Sequence, residues 1–395
     1  MIQHPTEQPG NTARRLKAVI LGPTQPPSGG ISTVLNDMLA SSLAEKTQLV
    51  LVDTRKRTPV DRTLMQGIKA QARLFAEYIR TIRREKPDVV HIHSGGSRDF
   101  YRKAFDVLAA RLLRTPVVLH NHSGDFNLFV DAMGPCRRAF VRFILNRCTR
   151  VIVLSQWWKE FHAKLTPPAR LRVLHNAIHS APYENNPPKQ QARRTLDLPE
   201  DRVIFLMMGV KGHRKGAFDI VEAAPQVKAG DPNAMLLLVG PDEDIEPAAG
   251  ENLARLAAEK GVEDTVVMRG EVDAAARYIY YAAADCLLLP SHAENAPMTI
   301  IEAMAARLPV VSTAIAAIPE MVDRDSTGIL IEPGKPEQIA EAVLRLSRDE
   351  SLRAAMGEAG YGKFTRSFEM EKAFVPRLLE IYQEAAAKKR VLNRE

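Results

Sequence analysis

Two carboxylates with seven residues between them, Glu294 and Glu302, stand in the stretch Ser291-His-Ala-Glu294-Asn295-Ala296-Pro297-Met298-Thr299-Ile-Ile-Glu302-Ala-Met-Ala. The apolar run before it, Cys286-Leu-Leu-Leu with Pro290 behind, reads as a buried parallel strand ending in a loop. Pro297 suits the first turn of a helix, and residues 298–306 continue as one. Glu294 is therefore expected in the loop at a strand's C-terminal end, and Glu302 about a turn inside the helix. The first backbone N–H groups of that helix are unpaired and positively polarised, which suits an anion such as a phosphate. Two hydroxyl acceptors flanking an anion seat meet the needs of a nucleotide sugar.

Three further stretches carry groups of the same kind. The strand Ala18–Leu21 leads into Gly22-Pro-Thr-Gln-Pro-Pro-Ser28-Gly29-Gly30, where paired glycines let backbone approach a diphosphate at a helix start near Ile31. Only one glycine follows the strand before the prolines, so this is not the GxGxxG of a nicotinamide enzyme. The run Gly209-Val210-Lys211-Gly212-His213-Arg214-Lys215-Gly216 is a basic loop after a strand. A third strand, Val117–Leu119, ends in His120-Asn121-His122-Ser123-Gly124-Asp125-Phe126. Histidines at 91, 93, 120 and 122 suggest a metal at first sight. Histidines at i and i+2 share one strand face, but no third ligand stands at a clear spacing, so no zinc site is expected. Asp242-Glu243-Asp244 and Asp323-Arg-Asp325 read as solvated loop acids, not holders of a divalent ion.

These loops need strands to carry them. Apolar runs recur at 18–21, 49–52, 89–93, 117–119, 151–154 and 171–174, then at 203–207, 235–239, 266–268, 286–289, 310–312 and 329–331. Helical periodicity fills the gaps, most clearly Leu64, Ile68, Ala72, Phe75, Ile79 and Ile82. The pattern is α/β: two Rossmann-like, doubly wound parallel-sheet domains facing each other across a cleft at their strands' C-terminal ends. The expected boundaries are a disordered tail over 1–16, a first domain over 17–180, a Pro- and Asn-rich linker over 181–200, a second domain over 201–365, and helix over 366–395.

The stretch from Pro290-Ser291 through Glu302-Ala-Met-Ala resembles the signature of retaining glycosyltransferases with the GT-B fold. That large family includes mannosyl-, glucosyl- and N-acetylglucosaminyltransferases. The resemblance implies that Glu294 binds hydroxyls of the donor sugar and Glu302 the nucleotide ribose. It also implies that Asn295, Ala296, Pro297, Met298 and Thr299 line the donor site, and that Gly29 and Gly30 face its phosphates. Lys215-Gly216 is similar to the family's Lys-Gly, with Lys215 stabilising the leaving charge. The family's phosphate-gripping Arg is Val210 here, a departure that leaves Lys211 or Arg214 as its replacement. His122 matches the histidine that meets the sugar beside the reacting carbon, with His120 as the alternative. Arg269-Gly270-Glu271 resembles the loop near the base, and His175-Asn176 the stretch before the linker. The catalytic set implied is His122, Lys215 and Glu294, without cofactor or metal, and the C-terminal helix is expected to cross back onto the first domain.

The function this resemblance implies is transfer of a hexose-type sugar from a nucleotide diphosphate sugar to a glycan or lipid-linked acceptor, in cell-surface polysaccharide or glycolipid synthesis. Two rivals share the architecture: a sugar-nucleotide epimerase, and a non-catalytic nucleotide-sugar-binding protein. Val210 favours the second rival, while Glu294, Glu302 and Lys215 oppose it. The 395 residues include three cysteines, none in CxxC spacing, which fits a reducing cytoplasm. Residues 1–15 lack the apolar core of a signal peptide, and no apolar run approaches a membrane span. Residues 1–190 hold 29 basic and 14 acidic side chains, while the remainder is acidic. Arg137, Arg138, Phe140, Arg142 and Phe143 could dock a peripheral protein on the cytoplasmic face of an anionic membrane. The basic balance is the only hint of nucleic acid, and no recognition motif supports it.

Overall fold

The computed structural model describes residues 14–24, 30–55, 63–242 and 252–392. Each expected apolar run is a strand. The first six are β1 (Leu16–Gly22), β2 (Thr47–Asp53), β3 (Val89–Ser94), β4 (Val117–Asn121), β5 (Arg150–Val153) and β6 (Leu171–Val173). The second six are β7 (Val203–Met208), β8 (Ala234–Val239), β9 (Val266–Arg269), β10 (Cys286–Leu289), β11 (Val310–Thr313) and β12 (Gly328–Ile331). They form two six-stranded sheets, ordered β2-β1-β3-β4-β5-β6 and β12-β11-β10-β7-β8-β9. The paired strands are parallel throughout, as in β1 with β3 and β7 with β10. Because helices cover both faces of the sheets, a central strand such as Ala234–Val239 is apolar without alternation and buried at every residue.

The chain start is more ordered than composition suggests. Leu16 already pairs with Thr47, and the Lys17 backbone N–H donates to the Asp88 carboxylate at 2.9 Å. Strand β1, paired on both sides, therefore begins within residues read as tail, while residues 1–13 lie outside those described. The stretch 181–200 differs as well. It holds two short helices, Ala181–Glu184 and Lys189–Thr195, and Tyr183, Ala192 and Leu198 enter the core of the second domain. Arg193 anchors it, its guanidinium reaching the Asp285 carboxylate at 2.5 Å and the Ala283 carbonyl at 3.0 Å. A few buried apolar side chains and one paired arginine fix a segment whose composition looked like a linker.

The first domain's helix Leu64–Glu85 shows a third difference. Tyr78 and Ile82 are buried, but Leu64 and Ile68 are 82% and 55% exposed, so the N-terminal half of its apolar stripe faces outward. The C-terminal helix Val375–Leu392 packs on the first domain. Leu378, Ile381 and Tyr382 share a core with Ala18, Ile20, Val89 and Val118. Where the chain leaves the first domain and where it returns, the two segments run side by side. The Ile178 N–H donates to the Phe368 carbonyl at 3.1 Å, and the Met370 N–H to the Ile178 carbonyl at 3.0 Å.

One glycine holds the loop after β7 against the second sheet. Gly216 has φ +75°, and a Cβ there would lie 2.2 Å from the Pro290 carbonyl oxygen. Gly216→Ala is expected to lower stability by more than ~1 kcal/mol through left-handed strain alone, with the clash adding to it. The urea midpoint measures this, and an unchanged midpoint would show that the Pro290 turn can move away freely.

Candidate active site

The C-terminal ends of the two sheets face each other around a cleft of about 580 Å³. From the first domain it is lined by Gly30, Ile31, His122, Gly124 and Asp125, and from the second by Arg214, Lys215 and the run Ala293 to Thr299. Leu154 and Asn176 complete the wall. Two hydrogen bonds bring its walls together: Asn295 Nδ2 donates to the His122 carbonyl at 2.7 Å, and Asn176 Nδ2 to the Ala296 carbonyl at 3.3 Å. Glu320 adds a clamp outside it. Its carboxylate accepts from the Gln156 and Trp157 N–H groups at 2.7 Å each, capping the first domain's helix Gln156–Ala163.

The centre of the second-domain wall is an ion pair. Lys215 Nζ lies 2.5 Å from Glu294 Oε1, which also accepts from the Ser291 hydroxyl at 3.0 Å. Glu294 sits in the loop after β10, Lys215 in the 3₁₀ turn His213–Lys215 after β7. Arg214 is turned to the same loop, donating to the Ala293 carbonyl at 3.2 Å. The helix Met298–Ala305 begins beside this pair with Pro297 as its N-cap, just before the first turn where it was expected. Pro297 provides no side-chain cap, so the first N–H groups of the helix remain available to a ligand. Three buried oxygens of the lining, Asn176 Oδ1, Asn295 Oδ1 and Thr299 Oγ1, have no hydrogen-bond partner. Buried polar atoms are rarely left so, and here they mark a surface prepared for a polar ligand.

Of the residues singled out from sequence, the cleft gathers Gly30, His122, Arg214, Lys215, Glu294, Asn295, Ala296, Pro297, Met298 and Thr299. Gly29 lies outside the described residues. Three others are elsewhere. Glu302 is 1% exposed, with Oε2 accepting from the Tyr281 hydroxyl at 2.6 Å and Oε1 paired with Arg277 at 3.2 Å. A helix turn buries it beneath the cleft floor. Lys211 is buried and donates to the Arg269 carbonyl at 3.0 Å, with Asp242 at 3.3 Å. Gly270 accepts from the Gly240 N–H at 3.1 Å and belongs to that same strand-end turn. Of the two candidates to replace the missing arginine, only Arg214 lines the cleft. Val210 does not line it.

Sequence spacing missed the partner that cross-strand register gives the histidines. His93 on β3 stands opposite His120 on β4, so His91, His93, His120 and His122 share one sheet face. Ligand nitrogens of His91, His93 and His120 lie within 4.8 Å of one another, a third member the i, i+2 reading lacked. Their rings do not converge on a point. The His91 and His120 rings are stacked at 11°, and two of their nitrogens already share a hydrogen bond at 3.3 Å. Burial pushes His91 and His122 down to about 3 and His162 to about 4, and holds His93 and His120 well below the usual range.

The chain matches the family descriptions "Glycosyltransferase Family 4" over residues 33–181 and "Glycosyl transferases group 1" over residues 188–363. A putative teichuronic acid biosynthesis glycosyltransferase of Bacillus subtilis is 24% identical over 349 residues, 85% of this chain and 83% of that protein. The N-acetyl-alpha-D-glucosaminyl L-malate synthase of Bacillus anthracis is 24% identical over 302 residues, 76% of this chain and 75% of that protein. In fold, the chain is similar to sucrose-phosphate synthase from Thermosynechococcus elongatus, with TM-score 0.71, 19% identity, and coverage of 95% and 100%. It is also similar to an Anabaena protein solved in complex with UDP, with TM-score 0.73, 18% identity, and coverage of 94% and 100%.

The buried imidazoles make stability depend on pH. Unfolding frees each to bind a proton near pH 6.5, so the unfolded chain holds more protons between about pH 4 and 6.5. Stability from these five histidines is full above that window and is lost as pH falls through it. Burial raises Asp37 and Asp106 to about 6, which works oppositely between 3.8 and 6, but with two groups against five. The melting temperature is expected to be lower at pH 5 than at pH 7 in scanning calorimetry. A higher value at pH 5 would mean that the histidines are charged in the fold.

Proposed function

The chain belongs to the GT-B glycosyltransferases; from that premise we propose a retaining transfer of a hexose-type sugar from a nucleotide diphosphate sugar to a glycan or lipid-linked acceptor. The observation that carries this reading is the Lys215–Glu294 pair beside an uncapped helix start, with His122 on the facing wall. Glu294 accepts from sugar hydroxyls. Lys215, Arg214 and the first N–H groups of Met298–Ala305 hold the diphosphate, and Asn295 and Thr299 give their unpartnered oxygens to the donor. A nucleotide as part of the donor is supported by the Anabaena protein of the same fold, which was solved in complex with UDP. Glu302 is left out of the donor contacts, because it is 1% exposed and does not line the cleft.

In this scheme the acceptor hydroxyl attacks the anomeric carbon from the face the diphosphate leaves. The carbon–oxygen bond to the diphosphate breaks, the bond to the acceptor forms, and the hydroxyl proton passes to the departing phosphate oxygen. Charge accumulating on that oxygen falls to Lys215 and the helix N–H groups. No divalent ion is assigned a part. The loop acids Asp323 and Asp325 pair with Lys363 and Arg345 instead of facing the cleft.

The acceptor side points to a membrane surface. Helices Leu64–Glu85, Ser97–Leu112, Phe126–Asp131 and Pro135–Arg147 carry 13 basic and 5 acidic residues. They also bear most of the exposed large apolar side chains, including Leu64, Met65, Ile68, Phe105, Leu112, Leu128, Phe140 and Phe143. Among the described residues no helix is long and apolar enough to cross a membrane. Peripheral docking on anionic lipid at the cytoplasmic face, presenting a lipid-linked acceptor, fits this mixture of charge and apolar surface.

Lys215→Ala is expected to lower kcat by about 10²-fold, the usual loss when one stabiliser of transition-state charge is removed. Release of nucleoside diphosphate, with a donor chosen by thermal shift from UDP-, GDP- and ADP-sugars, measures it. An unchanged kcat would remove Lys215 from the chemistry, and release independent of any acceptor would favour a different reaction. Flotation with anionic liposomes is expected to show binding that weakens from low to physiological salt; absence of binding at both would dismiss the membrane surface.

A further inference from the structure

The four stacked histidines are joined in two separate pairs. His93 Nδ1 lies 3.0 Å from His122 Nε2. His91 Nε2 lies 3.3 Å from His120 Nδ1, and His91 Nδ1 lies 2.8 Å from the Tyr382 hydroxyl on the C-terminal helix. Burial keeps all four rings neutral, so each carries a single N–H.

Which nitrogen holds that proton is decided by the orphans. His93 Nε2 and His120 Nε2 are buried with no hydrogen-bond partner. An N–H left there would be an unpaired donor, and buried orphan donors are rarer than under-used acceptors. The proton of His93 therefore belongs on Nδ1, where it donates to His122 Nε2. That nitrogen of His122 is then an acceptor without hydrogen, and its own proton must sit on Nδ1. His122 Nδ1 makes no hydrogen bond among the described residues and is not among their buried orphans, while the residue lines the cleft. It is the nitrogen open to a ligand.

We propose that His93 is a positioning residue: its Nδ1–H fixes His122 as the Nδ1–H tautomer, so that the cleft meets a hydrogen-bond donor and not a base. The consequence is selective. A neutral Nδ1–H donates to a sugar oxygen but cannot take a proton from the acceptor hydroxyl, which leaves that proton to the departing phosphate. This inference rests on the reading of the cleft as the donor-sugar site. The space His93 needs is built into β1, because a Cβ on Gly22 would lie 3.3 Å from the His93 ring and 2.9 Å from Leu35.

Nitrogen-15 NMR of the full chain with labelled histidine reads the tautomer directly, without any ligand. His122 is expected as Nδ1–H, and an Nε2–H signal for it would overturn the proposal. His93→Asn keeps an amide N–H near the position of Nδ1, while His93→Leu removes it. With the donor selected by thermal shift, kcat should fall about tenfold in His93→Leu and be largely restored in His93→Asn, and the NMR tautomer should be lost and kept in parallel. If His122→Ala lowers kcat while His93→Leu matches the parent in rate and tautomer, the positioning role is wrong and the donor site stands. If His122→Ala itself leaves kcat and KM unchanged, the donor-site reading fails.

Discussion

A parallel sheet puts every strand's C-terminal end on one edge, and the whole site depends on that constraint being used twice. Each edge collects the loops that follow its strands, so residues far apart in sequence arrive together. His122 follows β4, Lys215 follows β7 and Glu294 follows β10. Facing the two edges converts two loop clusters into one cleft. The apolar strands make the edges rigid, since nearly every position along β3, β4, β8 and β10 is buried. Loops on such a base can hold charged groups at hydrogen-bond distances without a helix or strand of their own.

Within that frame the Lys215–Glu294 pair has a dual effect. It satisfies two charges that are both largely withdrawn from water, and it keeps each aimed at the cleft instead of at a solvent partner. An unpaired charge in either place would be costly. The neighbouring orphan oxygens are the complement, because a surface that binds a polar ligand must leave some of its own hydrogen-bonding capacity unused. Glu302, in contrast, is buried beneath the cleft floor, where Tyr281 and Arg277 meet its two oxygens. Seven residues across a helix start fix which turn a side chain occupies, not whether that turn opens onto the cleft.

The sheets were almost wholly legible in the sequence. All twelve apolar runs are strands, because a strand buried on both faces has no other way to be composed. The loop residues that reach the cleft were legible where a glycine, a proline or an ion-pairing side chain marked a strand end. What stayed hidden was register. Nothing in the spacing of His91, His93, His120 and His122 reveals that β3 and β4 are neighbours aligned to stack the four rings. Burial hid Lys211, whose charge suggested a ligand but which ties three strand ends together. The stretch near Arg193 was misjudged for a similar reason, since a single buried arginine outweighed a composition rich in proline and asparagine.

The two backbone bonds that lace Ile178 to Phe368 and Met370 constrain how the halves can move. Both covalent connections pass through one small region, so they act as a single pivot and not as two independent tethers. The second half can swing about that point, like the covers of a book about its spine, but it cannot slide sideways without breaking the lacing. The cleft begins beside the spine, since Asn176 lines its wall two residues before Ile178. Admission of substrate and departure of product then share one degree of freedom, and such a swing must release the Glu320 clamp on Gln156 and Trp157 together with the Asn295–His122 and Asn176–Ala296 bonds.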